Sequence, residues 1–171
     1  MTNRQMVSDS IDRIENLVYE TLERKYIKVQ FITTGLVYLT LFILTSLLLL
    51  SNDFIYRNII IISLECLIII SAIINLSVLP KAYRYKGYAI REHDISYRTG
   101  IFFPKVTTIS FSRIQQVSIR QNPISRYFGL YSVDIVNGAQ MLDKMTIPGL
   151  SEEKANKINA FLIENIRNEK R

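Results

Sequence analysis

The sequence predicts an α+β membrane protein in which a two-helix transmembrane hairpin precedes a small curved β-sheet or barrel closed by a C-terminal helix. Two long apolar runs, Val29–Asn52 and Asn58–Pro80, predict the hairpin. After Pro80, apolar and polar residues alternate, which predicts strands. The chain has 171 residues and a net charge of +6. Residues 81–171 hold fifteen basic and eight acidic side chains, so the positive charge belongs to the region after the hairpin.

Each apolar run is long enough to cross a bilayer. The first has 24 residues without a charge, and the second has 23 residues with one charge, Glu65. A hydrocarbon core about 30 Å thick needs about 20 residues at the helical rise. We therefore predict spans at about 29–51 and 58–79 within a hairpin of residues 29–80. Two buried soluble helices fit less well, because too little chain remains to cover them.

The charges that flank the spans predict the orientation of the hairpin. The connection of residues 53–57 is so short that both outer ends of the helices must lie on the same side of the membrane. Lys and Arg are frequent outside these ends, and the positive-inside rule therefore places both termini in the cytoplasm. Aromatic residues near the span ends suggest an interfacial belt: Tyr26, Phe31, Phe54, Tyr56, Tyr83 and Tyr85.

Residues 1–28 show the spacing of a cytoplasmic amphipathic helix. Their apolar residues recur three or four positions apart, with charges between them: Ile11, Ile14, Leu17, Val18, Leu22 and Tyr26. Such a helix could lie on the membrane or on a partner, or it could cover the domain formed by the same chain. The sequence leaves both readings open.

Residues 81–171 have the pattern of a small cytoplasmic domain. Alternation and turn residues predict strands at 82–91, 94–99, 101–103, 105–111, 114–121, 131–136 and 143–147. Pro148-Gly149 is expected to stop the last strand. Ser151 is a suitable N-cap for a closing helix, and Glu152 and Glu153 suit its first turn. Seven short strands and one amphipathic helix fit a curved sheet or barrel that the helix plugs.

The stretch from Ile90 to Gln140 resembles the bacterial pleckstrin-homology-like (bPH2) domain of YdbS-type membrane proteins. The resemblance rests on Arg113-Ile114-Gln115, on Asn122-Pro123, and on the Arg-x-x-Gly-Leu element from Arg126 to Leu130. A Pro-x-Leu-Ser helix start at Pro148 and a preceding two-helix hairpin are also typical. Asn122 departs from the Gly that the family often has there, and Asn still permits the turn.

This resemblance implies a pleckstrin-homology-like sandwich or barrel capped by a C-terminal helix, in the bacterial cell (inner) membrane. It does not fix a function, because one fold can serve many binding roles. The turn Arg91–Asp94 is not a basic cluster, so phosphoinositide binding is not carried over. YdbS-like proteins are thought to act with a larger membrane partner that carries similar domains, and self-association is the other option.

Six residues are candidates for contacts. Arg113, Arg120 and Arg126 are candidates for binding an anion, a lipid headgroup or a partner, or for bracing turns. Within the membrane, Glu65, Ser71 and Asn75 are candidates for helix contacts, since polar groups there seek partners on neighbouring helices.

The sequence gives no support for catalysis, a cofactor or a small-molecule substrate. It has no glycine-rich phosphate loop and no recognisable nucleophile with a matching base. A single histidine and a single cysteine exclude a metal cluster built from several of these residues. No nucleic-acid-binding motif is present either.

The resulting hypothesis is a non-enzymatic membrane-anchored module for binding and assembly. Two alternatives stay open at this point. One is a subunit of a small transporter or export complex that uses Glu65 and Asn75. The other is a sensor of anionic lipid that uses the three arginines.

Overall fold

The two apolar runs form long helices with mostly exposed side chains. The computed structural model describes residues 18–48, 57–138 and 144–169. Helix α1 (Lys25–Leu47) packs against α2 (Arg57–Tyr85), and both are long and apolar enough to cross a membrane. Their exposed Leu and Ile side chains would be unfavourable in water, and lipid removes that penalty. The connection predicted at 53–57 lies largely outside the described residues.

Helix α2 leads into the domain with almost no linker. It continues to Tyr85, beyond the predicted end of the span, and the next strand begins at Gly87. The predicted strand at 82–91 is therefore wrong for its first four residues. Tyr83 explains the difference, because its hydroxyl donates to the Leu22 carbonyl and holds the last helical turn against the domain.

The domain contains two antiparallel sheets. The first has the order β1 (Glu20–Thr21), β2 (Gly87–Ile90), β3 (Asp94–Thr99) and β4 (Lys105–Ser110). A 3-10 turn at Phe111–Arg113 leads to the second sheet, which has the order β5 (Ile114–Arg120), β6 (Tyr131–Asn137) and β7 (Lys144–Leu150). Cross-strand pairs such as Ile95 with Ile109 and Val133 with Ile147 place apolar side chains on the inner faces.

Three local predictions differ from the structure. Residues 101–103 form a bend instead of a strand, because Gly100 adopts a φ of +82° and reverses the chain. A short helix, α3 (Pro123–Tyr127), follows the Asn122-Pro123 turn, since proline is favoured in the first turn of a helix. Strand β7 continues through Pro148-Gly149, where the register with β6 shifts and accommodates both residues in an irregularity.

The segment before α1 belongs to the domain. The prediction of one amphipathic helix over residues 1–28 is wrong for Glu20–Thr21, which form β1 and pair with Tyr88 and Gly87 of β2. Residues 1–17 lie outside the described part of the chain. Leu22 is only 3% exposed and packs in the domain core. Leu22 is therefore apolar because it is buried next to β1. The three- and four-residue spacing of apolar residues does not distinguish this arrangement from a helix.

Helix α4 (Glu152–Glu169) closes the core. Ser151 caps it as predicted, because the Lys154 N–H lies 3.4 Å from the Ser151 hydroxyl. The helix packs on β5, β6 and the 3-10 turn, and its buried face meets the inner faces of the strands. The fully buried side chains of this core include Ile95, Phe111, Ile135, Ile147 and Leu162.

Replacing Leu22 with Ala should destabilise the domain, although Leu22 precedes the hairpin. The loss of a buried Leu side chain is expected to lower the free energy of unfolding by about 2–5 kcal/mol. Val18, which is 91% exposed, provides the matched control, and Val18→Ala should leave stability unchanged. Denaturant unfolding of the full chain in detergent measures both. Equal stabilities of the two variants would exclude Leu22 from the core.

Candidate functional site

Arg98 joins the two ends of the hairpin to the first sheet. Its guanidinium carbon lies 4.3 Å from the ring centroid of Tyr19 and 4.5 Å from that of Tyr85. Its Nε donates a hydrogen bond of 3.0 Å to the Tyr85 carbonyl. A planar cation between two aromatic rings is attracted by both π-faces. Arg98 therefore holds the segment before α1 and the end of α2 on the same strand.

Two tyrosine hydroxyls reinforce this connection. The Tyr83 hydroxyl donates to the Leu22 carbonyl at 2.6 Å, and the Tyr88 hydroxyl donates to Glu20 Oε2 at 2.6 Å. Burial, together with this hydrogen bond and the charge of the carboxylate, raises the pKa of Tyr88. The phenol is therefore neutral and remains a donor at physiological pH.

The first turn of α1 rests on β7. Gly149 has a φ of +67°, and a Cβ at this position would collide with the Tyr26 side chain. The Lys86 ammonium lies 5.7 Å from the Tyr26 ring centroid, and burial lowers the pKa of Lys86. We call this contact region between hairpin and domain the junction, made of Tyr19, Tyr26, Tyr83, Tyr85, Lys86, Tyr88, Arg98 and Gly149.

Three residues of the predicted interfacial aromatic belt belong to the junction. Tyr26 and Tyr83 pack against the domain core, and Tyr85 stacks on Arg98. Sequence reasoning missed Arg98 and Tyr19, because strand alternation does not show that Arg98 lies opposite Gly87. The only available signal was the density of tyrosines on both sides of the hairpin.

The three arginines proposed for anion binding do not form one cluster. Arg113 precedes β5 and Arg120 ends it, about 23 Å away at the rise of a strand. Arg126 lies on α3, beyond the Arg120 end. Arg113 and Arg126 are exposed, and in the described part of the chain their guanidinium groups make no hydrogen bond or ion pair.

Arg120 instead helps to neutralise a buried carboxylate. Asp134 is 3% exposed at the centre of the second sheet. Its Oδ2 lies 2.8 Å from the Lys144 ammonium and 3.4 Å from Arg120 Nε, and Thr146 donates to its Oδ1 at 2.7 Å. These contacts offset the desolvation of the charge. Among the described residues, no group of three or more His, Cys, Asp and Glu side chains could hold a metal ion.

Two of the three candidate residues within the membrane already have partners inside the hairpin. The Ser46 hydroxyl donates to Glu65 Oε1 at 2.7 Å. The hydroxyls of Tyr38 and Ser71 lie 3.1 Å apart. Both contacts join α1 to α2, where a polar group in lipid has no water to bind. Glu65 and Ser71 therefore stabilise the hairpin itself.

Asn75 differs from these two residues. It is exposed on α2, and its amide makes no hydrogen bond within the described residues. It lines a groove of about 430 Å³ between α1 and α2, together with Thr33, Thr34 and Ser71. An amide on a lipid-facing surface is unfavourable unless a donor or acceptor reaches it. This arrangement suits a helix from another chain.

A second groove lies at the domain end of the hairpin. It has a volume of about 610 Å³, and its walls include Leu22, Ile27 and Pro80. Arg24 and Arg84 are its charged residues, and in the described part of the chain neither guanidinium makes a hydrogen bond or ion pair. Apolar walls with two unpaired cations at the end of a transmembrane hairpin suit an anionic lipid headgroup.

Comparison with known proteins gives a consistent family match. A family model described as "Bacterial PH domain" matches residues 31–166. The transmembrane protein YdbS of Bacillus subtilis (strain 168) is 26% identical over 91 residues, which cover 53% of this chain and 55% of YdbS. The matched segment thus spans about half the length of that relative. No solved structure matches the chain.

Replacing Arg98 with Lys should weaken the junction while keeping the charge. An ammonium cannot stack as a plane between two rings, so we expect a loss of about 1–2 kcal/mol in the free energy of unfolding. Hydrogen exchange at Glu20 and Thr21 should accelerate, because β1 is held next to this contact. Arg113→Lys, at an exposed arginine, is the control. Unchanged exchange in the Arg98 variant would show that the stacking is dispensable.

Proposed function

The chain belongs to the bacterial PH domain family, and from this premise we propose that it is a non-enzymatic assembly module held in the bacterial cell membrane. The α1–α2 hairpin crosses the membrane twice, and the domain lies on the cytoplasmic side. The protein acts by binding another membrane protein through its transmembrane helices. The exposed Asn75 amide in an intramembrane groove is the observation that carries this proposal.

The orientation is supported by the architecture and by the flanking charges. Leu22, before α1, and β2, after α2, belong to one folded domain, so both outer ends of the hairpin lie on the same side. Arg24, Lys25 and Lys28 precede the first span, and Lys81 and Arg84 follow the second. Positive charge of this kind is retained in the cytoplasm.

The partner that fits best is a transmembrane helix carrying a polar side chain. Glu65 and Ser71 are occupied within the hairpin, whereas Asn75 has both donors and an acceptor to offer. Thr33 and Thr34 widen the polar surface of the groove. The resemblance to YdbS-like proteins favours another membrane protein with PH-like domains, and a second copy of this chain is the other occupant. A rigid junction would fix the orientation of the domain relative to the hairpin, and hence relative to a partner helix bound to the hairpin.

The topology predicts the labelling pattern of introduced cysteines. With Cys66 replaced by Ala, a cysteine at position 93 should react with a thiol reagent only after the cell membrane is permeabilised, because the β2–β3 turn is cytoplasmic. A cysteine at position 54, in the connection between the spans, should react in intact cells. The reverse pattern would contradict the orientation.

Replacing Asn75 with Leu should weaken association with the partner helix. Hydrogen bonds between helices in membranes contribute about 0.6–2 kcal/mol, which corresponds to a roughly 3- to 30-fold weaker complex. Ser77→Ala is the matched control, since the Ser77 hydroxyl donates to Ile73 of its own helix. Tagged chains extracted in mild detergent, with co-purifying proteins quantified, measure the effect. Equal recovery of partners by both variants would overturn the proposed interface.

The groove beside Arg24 and Arg84 favours a second candidate function, the binding of anionic phospholipid. Its apolar walls suit the upper acyl chains, and the two guanidinium groups suit a phosphate. This places the lipid contact at the hairpin, away from Arg113, Arg120 and Arg126. Lipid bound there would touch both helices and the segment between β1 and α1.

The double variant Arg24→Gln/Arg84→Gln should retain less anionic lipid. Each well-placed arginine contributes about 1 kcal/mol, so the affinity for anionic lipid should fall about 30-fold in the double variant. The control Arg113→Gln/Arg167→Gln removes the same charge from exposed positions elsewhere on the domain. Mass spectrometry of lipids that co-purify from phosphatidylglycerol-containing vesicles provides the measurement. Equal lipid retention by the two double variants would exclude the groove.

A further inference from the structure

The domain exposes aromatic side chains where it meets the hairpin. Among the described residues, the most exposed aromatic side chains are Phe103 at 88%, Tyr127 at 86% and Phe102 at 75%. The two phenylalanines lie on the β3–β4 loop, and Tyr127 lies on α3, which packs against α1. Aromatic rings as exposed as these are unfavourable in water and indicate a surface that another phase or molecule covers.

The β3–β4 loop reaches the depth of the transmembrane span. Phe102 lines a cleft of about 510 Å³ whose other walls belong to α2, among them Leu67, Ile74 and Val78. All of these α2 residues fall within the predicted span 58–79. A side chain that shares a cleft with span residues lies close to the lipid when that span is in the bilayer.

The backbone conformation of the β3–β4 loop is restricted. Gly100 has a φ of +82°, and a Cβ there would collide with the Phe103 carbonyl, so the turn is tight. Pro104 restricts the chain after the two phenylalanines. Ile101 to Pro104 carry no charge, and Lys105 follows at the position where a flexible cation can reach the headgroups. Little conformational entropy is therefore lost when the loop enters the bilayer.

We propose that the β3–β4 loop (Gly100–Pro104) inserts Phe102 and Phe103 into the cytoplasmic leaflet beside α2. The ligand is the upper acyl-chain region of the phospholipids. The loop thereby forms a third membrane contact next to the two helices and fixes the tilt of the domain. Asn75 lines the same cleft as Phe102, so the inserted loop lies beside the surface proposed above for the partner helix.

Tryptophan fluorescence of the full chain tests the insertion directly, because the sequence contains no tryptophan. Phe103→Trp places one fluorophore on the loop, and the 88% exposure of Phe103 makes the substitution tolerable. The control is His93→Trp, on the exposed β2–β3 turn at the other end of β3, about 20 Å away. Both variants are reconstituted into phosphatidylcholine vesicles, with and without lipids brominated near the top of the acyl chains.

We expect the loop tryptophan to emit at shorter wavelength than the control and to be quenched several-fold more strongly by brominated lipid. Red-shifted, unquenched emission from Phe103→Trp would overturn the proposal. Blue-shifted emission without quenching would also overturn it, since a protein surface would then cover the loop.

Cysteine labelling tests the same insertion if Phe103→Trp folds poorly. In a Cys66→Ala background, Phe103→Cys should react in vesicles far more slowly with a water-soluble maleimide than His93→Cys does. Similar rates for the two cysteines would count against insertion.

Discussion

The stacking of Arg98 between Tyr19 and Tyr85 is the contact on which the arrangement of hairpin and domain depends. It binds Tyr19, just before β1, and Tyr85, at the end of α2, to one strand of the first sheet. The hairpin is thus an insertion within the domain, because Leu22 enters the core from one side of it and β2 from the other. Closure of the domain and association of the two helix ends therefore stabilise each other.

This coupling fixes which surfaces of the domain lie beside the hairpin. Lys86 alone separates α2 from β2, so β2 begins next to the end of the helix. The β3–β4 loop consequently returns alongside α2, and α3 comes to rest against α1. Arg24 and Arg84 line the groove at the base of the same hairpin. A domain on a flexible linker could turn any of its surfaces toward the hairpin, whereas this domain keeps the β3–β4 loop beside α2 and α3 against α1.

Within the membrane, polar side chains divide into two groups according to whether their hydrogen bonds are made inside the chain. Glu65 and Ser71 meet Ser46 and Tyr38 across the helix pair and hold the hairpin together. Asn75 faces outward in a groove and has no such contact in the described part of the chain. Lipid tails supply no hydrogen bonds. Contact with a polar partner therefore stabilises the Asn75 amide more than it stabilises any apolar neighbour.

The sequence by itself determined the hairpin, most strands, the capped final helix and the family resemblance, because apolar length, alternation and turn residues are local signals. Tertiary structure decided the rest. Leu22 follows a strand, because pairing with β2 outweighs the helical spacing of its neighbours. Arg120 neutralises Asp134, and Arg113 lies at the far end of β5, so the three arginines form no common site. Arg98, Asn75 and Phe102 gained their roles only from register and helix packing, which join residues that lie far apart in the chain.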